Sequence, residues 1–330
     1  MTNYLPPAIL VMGPTASGKT PVAVELAQRI HGEIVSVDSA LVYRDMNIGT
    51  AKPDAVTLRA APHHLINLIH PIERYSAAMF RHDALAGMAD ITARGKIPIL
   101  AGGTMLYFKA LLEGISALPG ADLELRAEID ARAARDGWPT LHAELAELDP
   151  VTAVRLEPTD AQRIQRALEV CYLTGAPMSQ QFGARETNPM PYCVLPIALL
   201  PSDRQALHQR IEVRFAAMLG QGLIEEVQGL KQQYNLVPSL PAMRAVGYRQ
   251  TWEFLDGQFD RNALVARGTA ATRQLAKRQL TWLRAMPELV VFDCLESCLA
   301  TQVVAYAERW LQKHWPESRM ALGQPLDNAS

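Results

Sequence analysis

The sequence predicts an α/β protein: a parallel sheet flanked by helices, interrupted by an all-helical insertion. Three observations carry this expectation. The first hundred residues alternate short apolar runs bounded by turn residues with helix-like segments, the pattern of strands joined by crossover helices. From about 121 to 182 the texture becomes rich in alanine, leucine, arginine and glutamate at helical spacing. An apolar run at 192–200, "YCVLPIALL", then returns the chain to the sheet.

In order, the expected strands are 8–12, 34–38, 65–69 and 97–101, with helices at 19–31 and 77–94 between them. The insertion contains "LELRAEIDARAARDGW", "TLHAELAELD" and "DAQRIQRALEVCYLTG". Thr159 followed by Gln162 reads as a capping box for the last of these. After 192–200 come helices at 203–219, 222–233, 246–255 and 262–285, then the strand "LVVFD" and a helix at about 296–314. The domain expectation is therefore a core of 1–117 with 191–316, a helical insertion of 118–190, and a frayed tail over 317–330.

Composition narrows the function classes. Of 330 residues, 49% are hydrophobic and 20% charged, as in an ordinary globular protein, and the formal net charge is −2. Any nucleic-acid contact must then rest on a local basic surface. The longest apolar stretch, near "CVLPIALLP", is far short of a membrane span and is interrupted by proline, so no membrane partner is expected. The first apolar run feeds directly into a glycine-rich loop, which argues against a removable leader and for a cytoplasmic protein. Cys171, Cys193, Cys294 and Cys298 lack a nearby histidine and read as buried thiols rather than a metal site.

"GPTASGKT", residues 13–20, lies between a strand-like and a helix-like segment. Gly13 and Gly18 let the backbone curl, so that the amides of Gly13, Pro14, Thr15, Ala16, Ser17 and Gly18, proline excepted, turn toward phosphate oxygens. Lys19 reaches the outer phosphate and the Thr20 hydroxyl suits Mg²⁺. The core is thus of the P-loop NTPase type. The Asn-Lys-x-Asp and Asp-x-x-Gly elements of a GTPase are absent from the sequence, which leaves a small-molecule kinase as the first alternative.

Two further segments leave strand ends. "VDSALVYRDMNIGTAKP", 37–53, places Asp38 and Ser39 beside the loop, since ligands of such sheets bind beyond the carboxyl ends of the strands. There a carboxylate could hold Mg²⁺ through water, take a proton from a nucleophile, or merely cap a turn. "LAGGTMLYFKALLEG", 100–114, brings the Thr104 hydroxyl to the same rim, with Gly102 and Gly103 possible turn formers.

The segment 261–284 carries six basic residues and no acidic one, a nucleic-acid footprint or a solvated helix face. Arg273, Lys277 and Arg284 lie near one another at helical spacing, and Arg267 and Arg278 share an adjoining face. Gln274 and Gln279 could read base edges or 2′-hydroxyls. A second polar-basic strip runs through Gln162, Arg163, Gln165 and Arg166. His63 and His64 read as core or loop histidines as readily as contacts, and Trp252, Trp282 and Trp310 as packing residues rather than stacking platforms.

Taken together, "GPTASGKT", "VDSALVYRDMNIGTAKP", "PHHLINL", "GGTMLYFKALLEG" and "TRQLAKRQLTWLR" resemble, in order and spacing, the bacterial tRNA dimethylallyltransferases (tRNA isopentenyltransferases) over about 8–293. The resemblance implies transfer of a dimethylallyl group from dimethylallyl diphosphate to N6 of the adenosine just 3′ of the anticodon, in tRNAs that read codons beginning with U. The loop would then grip a leaving diphosphate, without hydrolysis of ATP. By the same resemblance Asp38 is the base, and Lys19, Thr20-bound Mg²⁺, the loop amides and an arginine counter the diphosphate charge. For that arginine Arg214 is favoured, with Arg210 the alternative, and either could be a surface charge. Thr104 would contact the adenosine or the diphosphate. The implied tRNA contacts are Asp38, Ser39, Ala40, Leu41, Thr104 and Arg126; then Gln162, Arg163, Ile164, Gln165 and Arg166. They continue through Met243, Arg244, Ala245, Val246, Gly247 and Tyr248, and through Arg273, Gln274, Lys277, Arg278 and Gln279. The implied partner is an anticodon stem-loop, bound by a monomer. A nucleotide-gated RNA-binding module without chemistry is the other alternative.

Overall fold

The computed structural model describes residues 5–114, 118–181 and 190–315; the tail expected over 317–330 lies outside the described residues. The chain divides into two compact units, Met1–Leu111 with Pro191–Ser330, and Leu112–Met190.

The first unit opens with β1 (Pro7–Met12), α1 (Lys19–Arg29), β2 (Gly32–Val37), α2 (Ala55–Ala60), β3 (His63–His64), α3 (Ala77–Ala93), β4 (Ile97–Gly102) and α4 (Met105–Glu113). The second comprises α5 (Leu123–Asp136), α6 (Trp138–Leu148), α7 (Pro150–Ala153), α8 (Ala161–Thr174) and α9 (Met178–Gln181). The first unit resumes with β5 (Cys193–Leu200), α10 (Arg204–Gly220), α11 (Leu223–Gln233), α12 (Tyr248–Leu255), α13 (Arg261–Ala285), β6 (Val290–Asp293) and α14 (Leu299–His314).

The six strands form one parallel sheet in the order β3-β2-β4-β1-β5-β6. β1 and β2 are buried along their whole length, which is why β1 reads as a continuous apolar run rather than an alternating one. Ile9, Val11 and Leu199 pack with Leu26 of α1 and Val303 and Leu311 of α14 in one cluster. Leu10 and Met12 alternate with them and point to the opposite face. Because β2, β4 and β1 are neighbours, the loops that leave their carboxyl ends emerge side by side. That edge carries the phosphate loop, Asp38 and Thr104. None of the described helices is long and apolar enough to cross a membrane.

The structure corrects three local expectations. The third strand is His63–His64, not 65–69, because Leu65 (φ 60°) and Asn67 (φ 55°) turn the backbone out of the extended region. Ile69 keeps only an isolated bridge to Tyr43. The cap of α8 is Asp160, whose carboxylate accepts from the Arg163 amide, so Thr159 and Gln162 do not form the expected box. Of the thiols, Cys171 and Cys294 are buried, Cys193 is half-buried and Cys298 is exposed. The short α2 went unforeseen, since six residues show no apolar period; its signal was Asp54, which caps the Thr57 amide at 2.8 Å.

In the helical unit, Ile129, Leu141, Leu145, Ile164 and Leu168 form the core. Asp122 starts α5 by accepting from the amides of Glu124 and Leu125. Glu169 is fully buried there, and Arg126 (2.7 and 2.8 Å) and Arg166 (2.6 Å) neutralise it, as a charge removed from water requires.

Candidate active site

The phosphate loop runs from the end of β1 to the first residue of α1. Ala16 (φ 64°) and Gly18 (φ 78°) take left-handed conformations, and the Ser17 amide closes a turn on the Pro14 carbonyl at 3.3 Å. A side chain on Gly13 would begin 2.5 Å from Ser17 Oγ and 2.9 Å from the Leu199 carbonyl oxygen, so only glycine fits. Lys19 Nζ donates to the Pro14 carbonyl at 2.6 Å. Burial, followed by the charge of Arg214, pushes its pKa down to about 8, while Asp38 and Cys294 act in the opposite sense. Arg214, on α10, is itself held below its ordinary range by burial, with Asp38 opposing. Thr20 is exposed on the cleft wall.

Asp38 sits one residue beyond β2. Its Oδ1 accepts from the Ala40 amide at 2.8 Å and the Leu41 amide at 3.3 Å, a local turn that fixes the carboxylate. Thr104 Oγ1 accepts from the Ser39 amide at 3.1 Å, and its own amide donates to the Val37 carbonyl at 3.2 Å. The β4 turn is thereby tied to the Asp38 loop. A cleft of about 1150 Å³ brings Thr15, Lys19, Thr20, Asp38, Thr104 and Arg214 together, with an apolar wall that includes Leu41, Leu106, Met218, Leu275 and Trp282. Cations, carboxylates and an apolar lining therefore share one space. Arg210, by contrast, donates to the Cys294 carbonyl at 2.8 Å and does not line the cleft.

The expected nucleic-acid contacts separate into presented and enclosed groups. Ser39, Ala40 and Leu41 line the cleft, as do Arg244, Ala245, Val246 and Gly247. On α13, Gln274, Lys277 and Arg278 are exposed, and Arg273 pairs with Glu212 at 3.1 Å. In the helical unit a depression of about 720 Å³ is lined by Arg155, Gln162, Arg163 and Arg166 among others. There Arg163 pairs with Asp160 at 2.9 Å, and Gln165 donates to Asp130 at 2.6 Å.

Other residues do not serve as expected. Ile164 is fully buried in the helical core and Met243 in a cluster with Phe215 and Leu223, so these two side chains pack. Tyr248 belongs to the same buried cluster and gives its hydroxyl to Glu226, yet it also borders the cleft. Arg126 is committed to Glu169. Gln279, at 9% exposure on the cleft lining, has both amide atoms bonded to backbone. The Thr15 amide donates to Gln279 rather than to the cleft.

Two features were missed from the sequence. Glu226 accepts from the amides of Asn47 (2.8 Å), Ile48 (2.7 Å) and Gly49 (3.2 Å) and from the Tyr248 hydroxyl, so it holds the 47–49 loop that lines the cleft. Nothing local in the sequence signals this. Trp282 is 40% exposed on the cleft wall, with Lys109 Nζ 5.7 Å from its ring centroid, instead of being packed away. Its spacing of four from Arg278 was the available sign. His64 bonds Glu33 and His63 bonds the Ala61 carbonyl, both remote from the cleft lining.

Fold and site define a phosphate-loop α/β protein in which a cationic cradle faces a carboxylate across an apolar-walled cleft. The IPP transferase family model matches residues 41–286, and an isopentenyl transferase model matches 6–72. The chain is 60% identical over 313 residues to a tRNA dimethylallyltransferase from Azoarcus sp. (strain BH72), covering 94% of this chain and 98% of that one. It is also 60% identical over 304 residues to the tRNA dimethylallyltransferase of Thiobacillus denitrificans, covering 92% and 97%. Among solved structures, the tRNA isopentenylpyrophosphate transferase from Bacillus halodurans aligns with TM-score 0.68 and 32% identity, over 97% of this chain and 100% of that one. A eukaryotic dimethylallyltransferase acting on tRNA aligns with TM-score 0.79 and 25% identity, over 93% and 80%. The chain belongs to the IPP transferase family.

Proposed function

We propose that the protein transfers a dimethylallyl group from dimethylallyl diphosphate to the exocyclic N6 of the adenosine just 3′ of a tRNA anticodon, in the cytoplasm. The observation that carries this reading is the shared cleft: Lys19 and Arg214 lie within electrostatic reach of each other and of Asp38. Such a grouping suits a reaction in which an anion departs as a proton is removed nearby. The relatives' names supply the dimethylallyl group and tRNA, and the sequence resemblance supplies the acceptor adenosine.

An adenine amine is a weak nucleophile because its lone pair is delocalised into the ring. In the proposed step the N6–C1 bond forms, the C1–O bond to diphosphate breaks, and the amine proton passes to the Asp38 carboxylate. The turn to the Ala40 and Leu41 amides holds that carboxylate in place. Diphosphate leaves with added negative charge, which the half-buried Lys19 and Arg214 counter from the cleft wall. The apolar wall excludes water that would otherwise intercept the allylic carbon.

The donor set fits Mg²⁺ as an ion shared with the donor. Thr20 presents one exposed hydroxyl to the cleft, and the described residues contain no cluster of three His, Cys, Asp or Glu that would cage a metal alone. Mg²⁺ commonly keeps waters and takes phosphate oxygens with few protein ligands. Thr20 would hold it, and when bound it withdraws charge from the departing diphosphate.

The test is direct. Protein, Mg²⁺, dimethylallyl diphosphate and unmodified tRNA are incubated, and the digested nucleosides are weighed by mass spectrometry. One adenosine per tRNA gains a dimethylallyl group. Movement of γ-phosphate from ATP to an acceptor, with no prenylated nucleoside, would instead establish the kinase alternative.

A further inference from the structure

One side chain joins three parts of the site from 176 and 264 residues away. Gln279 Oε1 accepts from the Thr15 amide of the phosphate loop at 2.8 Å. Its Nε2 donates to the Gly103 carbonyl of the β4 turn at 2.8 Å. A side chain on Gly103 would begin 2.4 Å from that Nε2, so the turn is shaped around the glutamine amide. The next residue, Thr104, accepts from the Ser39 amide beside Asp38. A single buried carboxamide thus links the cradle, the turn and, through Thr104, the loop of the base. The neighbours of Gln279 on α13, Lys277 and Arg278, are exposed, and Arg278 lines the cleft.

We infer that Gln279 is a positioning residue for the diphosphate subsite: it sets the shape of the phosphate loop and the Gly103–Thr104 turn and does not itself touch nucleic acid. This rests on the prenyl-diphosphate reading above. A carboxamide suits this place at neutral pH, since its one carbon carries a donor for the C=O and an acceptor for the N–H. With the Thr15 N–H turned inward, the anion is left to the remaining loop amides and to Lys19. Losing the glutamine would free the Thr15 amide and leave two enclosed backbone groups unsatisfied. The loop would then sample shapes that do not fit a diphosphate.

Two substitutions test this, with inorganic pyrophosphate and Mg²⁺ as the probe in calorimetry and an unmodified tRNA as a second ligand. Gln279→Met keeps the volume and loses both hydrogen bonds. Its pyrophosphate Kd rises about tenfold, as loss of one or two buried hydrogen bonds predicts, while its tRNA Kd stays within about twofold. Gln279→Glu presents two acceptors when ionised, so it clashes with the Gly103 carbonyl, but when protonated it reproduces the donor–acceptor pair. Measured relative to wild type at each pH, its pyrophosphate affinity recovers as pH falls toward about 5 and passes that of Gln279→Met. Relief of charge repulsion alone would raise it only to the methionine level.

A Gln279→Met protein that binds pyrophosphate as wild type does, or one that loses tRNA affinity instead, overturns the inference. So does a glutamate variant that never passes the methionine variant. That second comparison decides the matter even if methionine lowers the melting temperature. Wild-type protein that takes up no pyrophosphate would fail at an earlier stage, sinking the reading of the cleft and this role with it.

Discussion

Lys19 Nζ lies 2.6 Å from the carbonyl oxygen of Pro14, so the phosphate loop holds its own cation until a phosphate oxygen competes for it. With its pKa pushed down to about 8, chiefly by burial, this lysine is charged below pH 8 and increasingly neutral above. A bound diphosphate favours the charged form and raises the pKa in the complex. Affinity is therefore full below pH 8 and falls as pH rises, until the pKa of the complex is passed. Titrations of pyrophosphate between pH 7 and 9.5 should show Kd climbing by up to about tenfold per unit above 8. Lys19→Arg keeps its charge over that range and should flatten the rise. A wild-type Kd that stays constant to pH 9.5 would count against a role for Lys19 in binding the anion.

The proposed mechanism gives Asp38 two separable duties, and one substitution splits them. Asn at this position can still accept from the Ala40 and Leu41 amides through its carbonyl oxygen, but it cannot take a proton. Asp38→Asn should lower kcat by roughly 10²–10⁴-fold while leaving the Kd values for donor and tRNA within about twofold. Single-turnover rates and filter-binding affinities measured on the same preparation make the comparison. Equal losses in rate and tRNA affinity would move Asp38 from catalysis to recognition.

Glu33 tests the scaffold rather than the site. Its side chain is 3% exposed on β2 and is met by Arg94 (2.5 and 2.8 Å), Lys96 (2.6 Å) and His64 (2.7 Å). Hydrogen bonds from Arg94 first, then from Lys96 and His64, outweigh burial and hold its carboxyl far below the usual carboxylate range. A depressed carboxylate contributes stability that is present above its unfolded pKa, about 4.5, and lost as pH falls from there toward the folded value. Glu33→Gln should cost about 2 kcal/mol at pH 7, less than a fully buried pair because Arg94 and Lys96 are part exposed. Urea midpoints of the two proteins should converge as pH drops from 7 to 3. A gap of constant size would mean that packing, not charge, is at stake.

Much of the site was readable along the chain because its pieces are contiguous. The curl of "GPTASGKT" depends on Gly13, Gly18 and the start of α1, all within eight residues. Asp38 and Thr104 each follow the end of an apolar run, and the rule that ligands gather beyond strand ends locates both. The misreading of 65–69 as a strand has an equally local cause: apolar composition says nothing of the left-handed turns at Leu65 and Asn67.

What escaped was the assignment of polar side chains to cleft or interior. Gln274 and Gln279 look alike in "TRQLAKRQ", yet one is exposed and the other is enclosed by Thr15 and Gly103. Glu226 reads as one more acid on an amphipathic helix, but it gathers the amides of a loop about 180 residues earlier. Arg210 and Arg214 are one helical turn apart, and only their surroundings separate them: the Cys294 carbonyl takes the first, while the second lines the cleft.

Residue order alone was sufficient for the alternation of strand and helix, the phosphate cradle and the basic helix. These follow from backbone geometry and periodicity over a few residues. Which polar side chains face the cleft and which are enclosed by backbone emerged only once the chain had folded. Exposure is a property of the neighbours a side chain acquires, and here those neighbours come from hundreds of positions away.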